Sequence, residues 1–285
     1  MIVVTGATGQ LGRLVIEQLL TRLPASQIIA AVRSPEKAAD LSALGIQVRQ
    51  ADYSQPSTLD SAFADAEKLL LISSSEVGQR LAQHKAVIDA AKNAGVKLLA
   101  YTSVLHADTS ALGLAKEHRE TEDYLQSSGL PFVLLRNGWY TENYVAGAPG
   151  ALAHGAVMGC AGEGRISSAS RLDYAEAAAT VLTADEDQAG RVYELAGDVS
   201  YTLADYAAEL SRQSGKTLAY VDLPQAEFEA ALIKAGLPDF VAQLLADSDA
   251  AAAQGALFDD SHQLSTLIKR PTTPLAATIT ETLKG

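Results

Sequence analysis

Ile2-Val3-Val4-Thr5-Gly6-Ala7-Thr8-Gly9-Gln10-Leu11-Gly12 decides the fold of this chain of 285 residues. A short apolar run ends in three glycines spaced G-x-x-G-x-x-G, and Leu11, Val15, Leu19 and Leu23 then recur at helical spacing. The pattern is a buried strand, a turn that excludes side chains, and a helix over about 10–22. Free backbone N–H groups and the helix dipole at such a start favour an anion, typically a pyrophosphate. A glycine triplet alone is a weak signal, because left-handed turns also need glycine. Here a strand precedes it, a helix follows, and strand–helix alternation continues, which is the context a dinucleotide site requires.

Working outward, residues 27–32, 46–50, 68–72 and 96–101 read as further strands, with helices near 36–44, 56–63 and 77–93 between them. A helix over 116–127 and a sixth strand over 132–136 follow. Continuous apolar strands separated by helices imply an α/β fold with a doubly wound parallel sheet, the Rossmann type. The alternation then breaks at a stretch rich in glycine, including Gly147, Gly155, Gly159, Gly162 and Gly164. Residues 173–182 form an alanine-rich helix with Asp173 as its expected N-cap, and 192–195 a short strand. Thr202 and Asp205 stand at capping-box spacing before a helix to 214. Segments from 224 onward read as mostly helical, with 247–260 irregular. The expected domains are a dinucleotide-binding domain over 1–150, which also receives part of 165–200, and a smaller, mainly helical C-terminal domain over 151–285.

The formal net charge of -12 argues against nucleic acid and anionic membrane surfaces as partners, since both need clustered Lys and Arg. Cys160 is the single cysteine, so no intrachain disulfide forms, and it reads as a small apolar filler. His84, His106, His118, His154 and His262 show no metal-ligand spacing, so no metal is expected. The first strand begins at Ile2 with no signal-peptide pattern, and no apolar run nears the ~20 residues a bilayer span needs. The sequence therefore predicts a cytoplasmic protein, with homo-oligomerisation left open.

In a doubly wound sheet the ligand lies outside the C-terminal strand ends, which selects the loops that matter. Arg33, where many NAD enzymes carry an acid, suits a 2′-phosphate and hence NADP(H); it also reads as a solvated arginine beside Pro35. Asp52 either accepts from the adenine amino group or forms an Asx-turn. Ser73, Ser74 and Ser75 either let a dinucleotide pass close to the backbone or make a plain turn. Asn137, Gly138, Trp139, Tyr140, Thr141, Glu142 and Asn143 follow the sixth strand and offer an amide and aromatic faces for a flat substrate. Trp139 reads equally as core, and Arg165 as a turn arginine or a residue reaching over the cofactor. His106 lines a pocket or serves structure.

A short-chain reductase usually carries Tyr-x-x-x-Lys, the tyrosine acting as acid and the lysine lowering its pKa. That spacing is absent from the whole chain; four residues before Lys116 stands Leu112. A substrate that accepts hydride without an obligate protein acid fits better, and a quinone qualifies because water can protonate the hydroquinone anion.

TGATGQLG at 5–12, Arg33, ADY at 51–53, LLLISSSEVGQR at 69–80, AYTS at 100–103, LLRNGWYTENY at 134–144 and ADSDAAAAQGALFDDS at 246–261 together resemble the NmrA-like, atypical short-chain dehydrogenases. The resemblance spans essentially the whole chain. It implies an NADPH-binding Rossmann domain, a small C-terminal domain, and a quinone in the cleft between them. It carries cofactor contacts onto Gly6, Ala7, Thr8, Gly9, Gln10, Leu11, Arg33, Ser73, Ser74, Ser75, Asn137, Gly138, Trp139, Tyr140, Thr141, Glu142 and Arg165. Thr141 stands where the family's serine is familiar, which keeps the hydroxyl. The catalytic group stays unassigned, with Tyr140, Trp139, Asn143 and His106 as pocket candidates. Within the family, members that only sense NADP(H) redox state through a protein partner, and reductases of triphenylmethane dyes, keep two other functions open.

Overall fold

Strand order and helix placement follow from which residues cannot remain in water. In the computed structural model, which describes residues 1–284, β1 (Ile2–Thr5), β2 (Ile28–Val32), β3 (Gln47–Gln50), β4 (Lys68–Leu71), β5 (Leu98–Val104) and β6 (Phe132–Asn137) alternate with helices. These helices are α1 (Gln10–Leu20), α2 (Ala39–Ala43), α3 (Pro56–Ala62), α4 (Arg80–Asn93) and α5 (Ala115–Ser128). There follow α6 (Thr141–Val145), α7 (Ala148–His154), β7 (Ala156–Gly159), α8 (Arg171–Thr183), β8 (Val192–Leu195), α9 (Leu203–Ser214) and β9 (Ala219–Asp222). The chain closes through α10 (Gln225–Lys234), α11 (Asp239–Ala252), α12 (Gln263–Ile268) and α13 (Leu275–Lys284).

A seven-stranded sheet has the order β3-β2-β1-β4-β5-β6-β8, and neighbours from β3 to β6 pair in parallel. The order reverses direction beside β1, so the doubly wound sheet expected from the sequence is present. Alternate residues pack on opposite faces. Val3, Ile29, Leu69, Leu71, Leu99 and Tyr101 share one core with Leu59 and Phe63 beside α3 and Val87 and Ile88 of α4. On the other face α1 lies against α8, and Arg22 donates to Thr180 Oγ1 at 2.9 Å. Leu69, Leu70 and Leu71 are all fully buried, each contributing roughly 1.5–3 kcal/mol.

Two compact units are interleaved along the chain. One comprises Met1–Ala107, Glu117–Asn137 and Arg171–Tyr193; the other comprises Asp108–Lys116, Gly138–Ser170 and Glu194–Gly285. Against a division near 150, the second unit takes up the chain at Gly138; 171–193 returns to the first, within the 165–200 stretch the sequence assigned to it in part. The second unit is not purely helical: β7 and β9 form a parallel two-stranded sheet with Val157 opposite Tyr220. The glycine-rich stretch hides α7 and β7, and α6 lies just before it.

Several boundaries move for local reasons. β5 runs on through Thr102 and Ser103 to Val104, because all seven of its residues are buried and it pairs with β6 as far as Val104–Asn137. The helix expected from 77 starts at Arg80, because Gly78 has φ +84°. α8 begins at Arg171, so Asp173 lies inside its first turn, fully buried, and not at the N-cap position. α11 continues to Ala252, into the first part of the 247–260 segment expected to be irregular. Thr202 and Asp205 do form a reciprocal capping box on α9. No helix among the described residues is long and apolar enough to cross a membrane.

Candidate functional site

The turn between β1 and α1 is shaped by what cannot fit there. Gly6 has φ +58°, and Gly9 N–H donates to Gly6 O at 2.9 Å. A Cβ on Gly12 would stand 2.4 Å from Gly6 O and 2.8 Å from Ala7 Cα, so backbone meets backbone where only hydrogen fits. Gly9 is the N-cap of α1, and no side chain caps that end. The first N–H groups of α1 therefore lack the internal partners that later turns have. Gly6, Gly9 and Gln10 are exposed, while Ala7 and Leu11 are buried.

Neighbouring strand ends are tied to this turn. Thr5 Oγ1 donates to Leu70 O at 3.0 Å and accepts from Ile72 N–H at 3.1 Å. Tyr53 Oη contacts Thr5 Oγ1 and donates to Ile72 O at 3.0 Å, and burial pushes its pKa well up. Tyr53 thus joins the ends of β1, β3 and β4 through its hydroxyl. Asp52 closes an Asx-turn: Oδ1 accepts from Ser54 N–H at 2.9 Å and Oδ2 from Gln55 Nε2 at 3.1 Å. Arg33 is exposed after β2 and donates through Nη1 to Glu76 Oε1 at 2.9 Å.

The serine turn after β4 is held from below. Ser73 N–H donates to Thr102 Oγ1 at 2.9 Å. Ser74 is engaged at every polar group: its N–H donates to His84 Nε2 at 2.9 Å and its carbonyl accepts from Arg80 Nε at 2.8 Å. Its hydroxyl bonds Gln83 Oε1 and accepts from Glu76 N–H at 3.1 Å. Ser75 is exposed. His84 Nδ1 pairs with Thr121 Oγ1 at 3.0 Å, and Thr121 donates onward to Glu117 O, so Nδ1 carries the proton. Burial, with Arg80 nearby, brings the His84 pKa down to about 3. Tyr101 Oη lies 2.7 Å from His118 Nδ1 beneath it, and burial pushes the phenol up and the imidazole down.

At the ends of β5 and β6 an ion pair replaces apolar packing. Arg136 donates from Nε and Nη2 to the two oxygens of Glu122 at 3.0 and 2.7 Å, and Ser103 Oγ donates to the same carboxylate. All three are buried. A buried bidentate pair is costly to break by halves, and it fixes the strand that ends in Asn137. Asn137 is 5% exposed, and its Oδ1 is buried without a hydrogen-bond partner. An orphaned buried acceptor costs roughly 1–3 kcal/mol, so it is a position awaiting a donor. His106, just past β5, adopts φ +52°, a left-handed conformation uncommon outside glycine.

The second unit carries the remaining candidates. Trp139 O accepts from Ala169 N–H at 3.2 Å, and Thr141 N–H donates to Ala169 O at 2.9 Å. Trp139 and Tyr140 are half-buried, as are Glu142 and Asn143 on α6. Thr141 is buried, its hydroxyl 2.8 Å from Ser168 Oγ, which lies 2.6 Å from Tyr201 Oη. Gly138 is buried, with its N–H on Leu195 O at 2.7 Å. Arg165 is exposed and held by Ser200, through Nε to Oγ at 2.8 Å and Nη2 to the carbonyl at 2.7 Å. Cys160 Sγ lies 3.3 Å from Ala246 O, and burial beside Asp249 and Asp222 pushes the thiol up to about 12. Asp249, itself raised to about 6 by burial, accepts from Cys160 N–H at 3.2 Å. Among the described residues no three His, Cys, Asp or Glu side chains are placed to share a metal ion.

Within the first unit the structure gathers Gly6–Leu11, Arg33, Asp52 and Ser73–Ser75 at the C-terminal ends of neighbouring strands. Sequence reasoning passed over Glu76, Gln83, His84 and the Glu122–Arg136 pair. The polar and charged partners Glu76, Arg80 and Gln83 beside the serines were the available signal. A dinucleotide is fitted on two counts: the start of α1, which no side chain caps, and the buried Asn137 Oδ1, which lacks a donor.

A family model described as NAD(P)H-binding matches residues 6–185. The chain is 60% identical over 279 residues to quinone oxidoreductase 2 of Escherichia coli strain K12, spanning 98% of this chain and 97% of that one. It superposes on the crystal structure of the NADPH-dependent quinone oxidoreductase from Escherichia coli complexed with NADPH with a TM-score of 0.97, at 59% identity over 99% of this chain and 100% of that chain. The triphenylmethane reductase of Citrobacter sp. complexed with NADP(H) gives a TM-score of 0.96 at 39% identity, over 99% and 100% of the two chains. With a model matching residues 6–185 and a full-length relative at this identity, the chain belongs to the NAD(P)H-binding family.

Proposed function

We propose that the chain reduces quinones with NADPH by direct hydride transfer. The observation that carries this reading is a complete dinucleotide frame without a Tyr-x-x-x-Lys acid pair, in a chain 60% identical to a quinone oxidoreductase. Bound NADPH supplies the hydride. The protein's part is binding, orientation and exclusion of water.

In this reading the open N–H groups at the start of α1 hold the pyrophosphate, and Gly6, Ala7, Thr8 and Gly9 let it approach the backbone. The guanidinium of Arg33 takes the 2′-phosphate. Asn137 Oδ1 accepts an N–H of the carboxamide, which supplies the donor it lacks. Ser73 and Ser75 flank the cofactor, as does Asp52. Ser74 and Thr141 act through the backbone they support, since their hydroxyls are engaged. Gly138, Glu142 and Arg165 complete the proposed cofactor set. The flat acceptor stacks on Trp139 and Tyr140, with Asn143 and His106 as further candidates to touch it. Hydride adds to the quinone, and water protonates the resulting oxyanion to give the hydroquinone. The redox-sensor alternative is not favoured by these relatives.

Steady-state oxidation of NADPH with benzoquinone and naphthoquinones tests the reading. Tight cofactor binding with no quinone-dependent oxidation would sink it.

A further inference from the structure

The cation proposed to read the 2′-phosphate is already paired. Arg33 Nη1 donates to Glu76 Oε1 at 2.9 Å. Glu76 is not a loose surface acid. Its other oxygen accepts from Gln83 Nε2 at 2.8 Å, and Gln83 is buried and also donates to Ser54 Oγ at 3.1 Å. Its backbone N–H is fixed on Ser74 Oγ at 3.1 Å. The carboxylate is thus anchored to α4 and to the turns after β3 and β4, and it presents one oxygen to Arg33.

We propose that Glu76 sets the balance between NADPH and NADH by competing with the 2′-phosphate for Arg33 and by accepting from the 2′-hydroxyl of NADH. The inference rests on the reading of Arg33 as the phosphate contact and adds a second residue to it. A 2′-phosphate carries between one and two negative charges at neutral pH. When it binds Arg33 it stands beside a like charge that shares the same cation, and either the pair opens or the repulsion persists. The neutral 2′-hydroxyl of NADH meets no such opposition and can donate to the carboxylate, as it does to the acid after the second strand in NAD-selective enzymes. Arg33 and Glu76 together therefore read both forms of the same ribose position. The side chains are 69% and 46% exposed, so their attraction is screened and modest.

The test is equilibrium titration of NADPH and NADH, by fluorescence of the reduced nicotinamide, into the full chain and into Glu76→Gln, Glu76→Ala, Arg33→Ala and the Arg33→Ala/Glu76→Gln double variant. Glu76→Gln keeps the shape and the Gln83 contact. It should tighten NADPH and slightly weaken NADH, so that the ratio of the two dissociation constants shifts toward NADPH by roughly three- to tenfold. The NADPH gain should shrink as salt is added and vanish in the Arg33→Ala background. If Arg33→Ala weakens NADPH selectively while both Glu76 variants leave the ratio unchanged or move it toward NADH, the Glu76 proposal is overturned and the Arg33 reading survives. If Arg33→Ala weakens both cofactors equally, the Arg33 reading itself fails.

Discussion

His84 Nε2 accepts the backbone N–H of Ser74 at 2.9 Å, so a neutral imidazole buried between α4 and α5 fixes the turn after β4. The ring can do this only while Nε2 keeps its lone pair. Its folded-state pKa of about 3 lies below the ordinary 6.5, with burial the main cause. The stabilisation is complete above pH 6.5 and is lost as pH falls toward 3, at up to about 1.4 kcal/mol per pH unit.

Between pH 7 and 5, His84 alone should therefore remove about 2 kcal/mol of stability. His118, buried beside Tyr101, acts with the same sign. Urea unfolding of His84→Gln at both pH values should lose about 2 kcal/mol of the wild-type difference. An unaltered difference would show that the imidazole is not the group responsible.

Asp249 runs the other way. Burial raises its carboxyl from 3.8 to about 6, so the folded chain binds the extra proton and stability declines as pH rises from 4 toward 7. The shift corresponds to about 3 kcal/mol. Asp249→Asn, which imitates the protonated acid, should flatten this limb and raise the melting temperature more at pH 8 than at pH 5. Equal gains at the two pH values would contradict the assignment.

Gly12→Ala should damage both structure and binding. Its Cβ would meet the backbone at Gly6 and Ala7, not a side chain able to rotate away. The expected cost is about 1–3 kcal/mol from overpacking. NADPH affinity should fall roughly tenfold or more, through displacement of the α1 N–H groups. Differential scanning calorimetry with cofactor titration reads both.

Asn137→Ala should separate binding from stability. It removes an orphaned acceptor that costs about 1–3 kcal/mol and leaves a small cavity of comparable cost. The cofactor-free protein should melt within a few degrees of wild type, while NADPH binds about fivefold to tenfold more weakly. Unchanged binding would mean that Oδ1 meets no donor on the cofactor.

What the sequence made legible is what local rules govern. Gly6, Gly9 and Gly12 announced the turn because only glycine fits it, and Thr202 with Asp205 announced a helix start because the cap is contained within four residues. β7 and β9 were invisible because each is short and finds its partner some sixty residues away, Val157 opposite Tyr220. His84 showed no signal because its role depends on Ser74 and Thr121 arriving from two other segments. The strand expected over 96–101 stops short of the polar Thr102 and Ser103. Burial against β6 made them strand instead. Asp52 was legible only as an ambiguity, and its Asx-turn shows why: a short carboxylate after a strand satisfies its own loop first.

Quinones are electrophiles as well as oxidants, and they alkylate proteins by adding to thiolates. The chain's single thiol is Cys160, and burial beside two carboxylates holds it at about 12. At neutral pH the thiol therefore stays in its protonated, weakly nucleophilic form. The chain's one thiol is thereby a poor target for the proposed substrate. Intact-mass measurement after incubation with excess benzoquinone should find Cys160 unmodified while the chain remains folded.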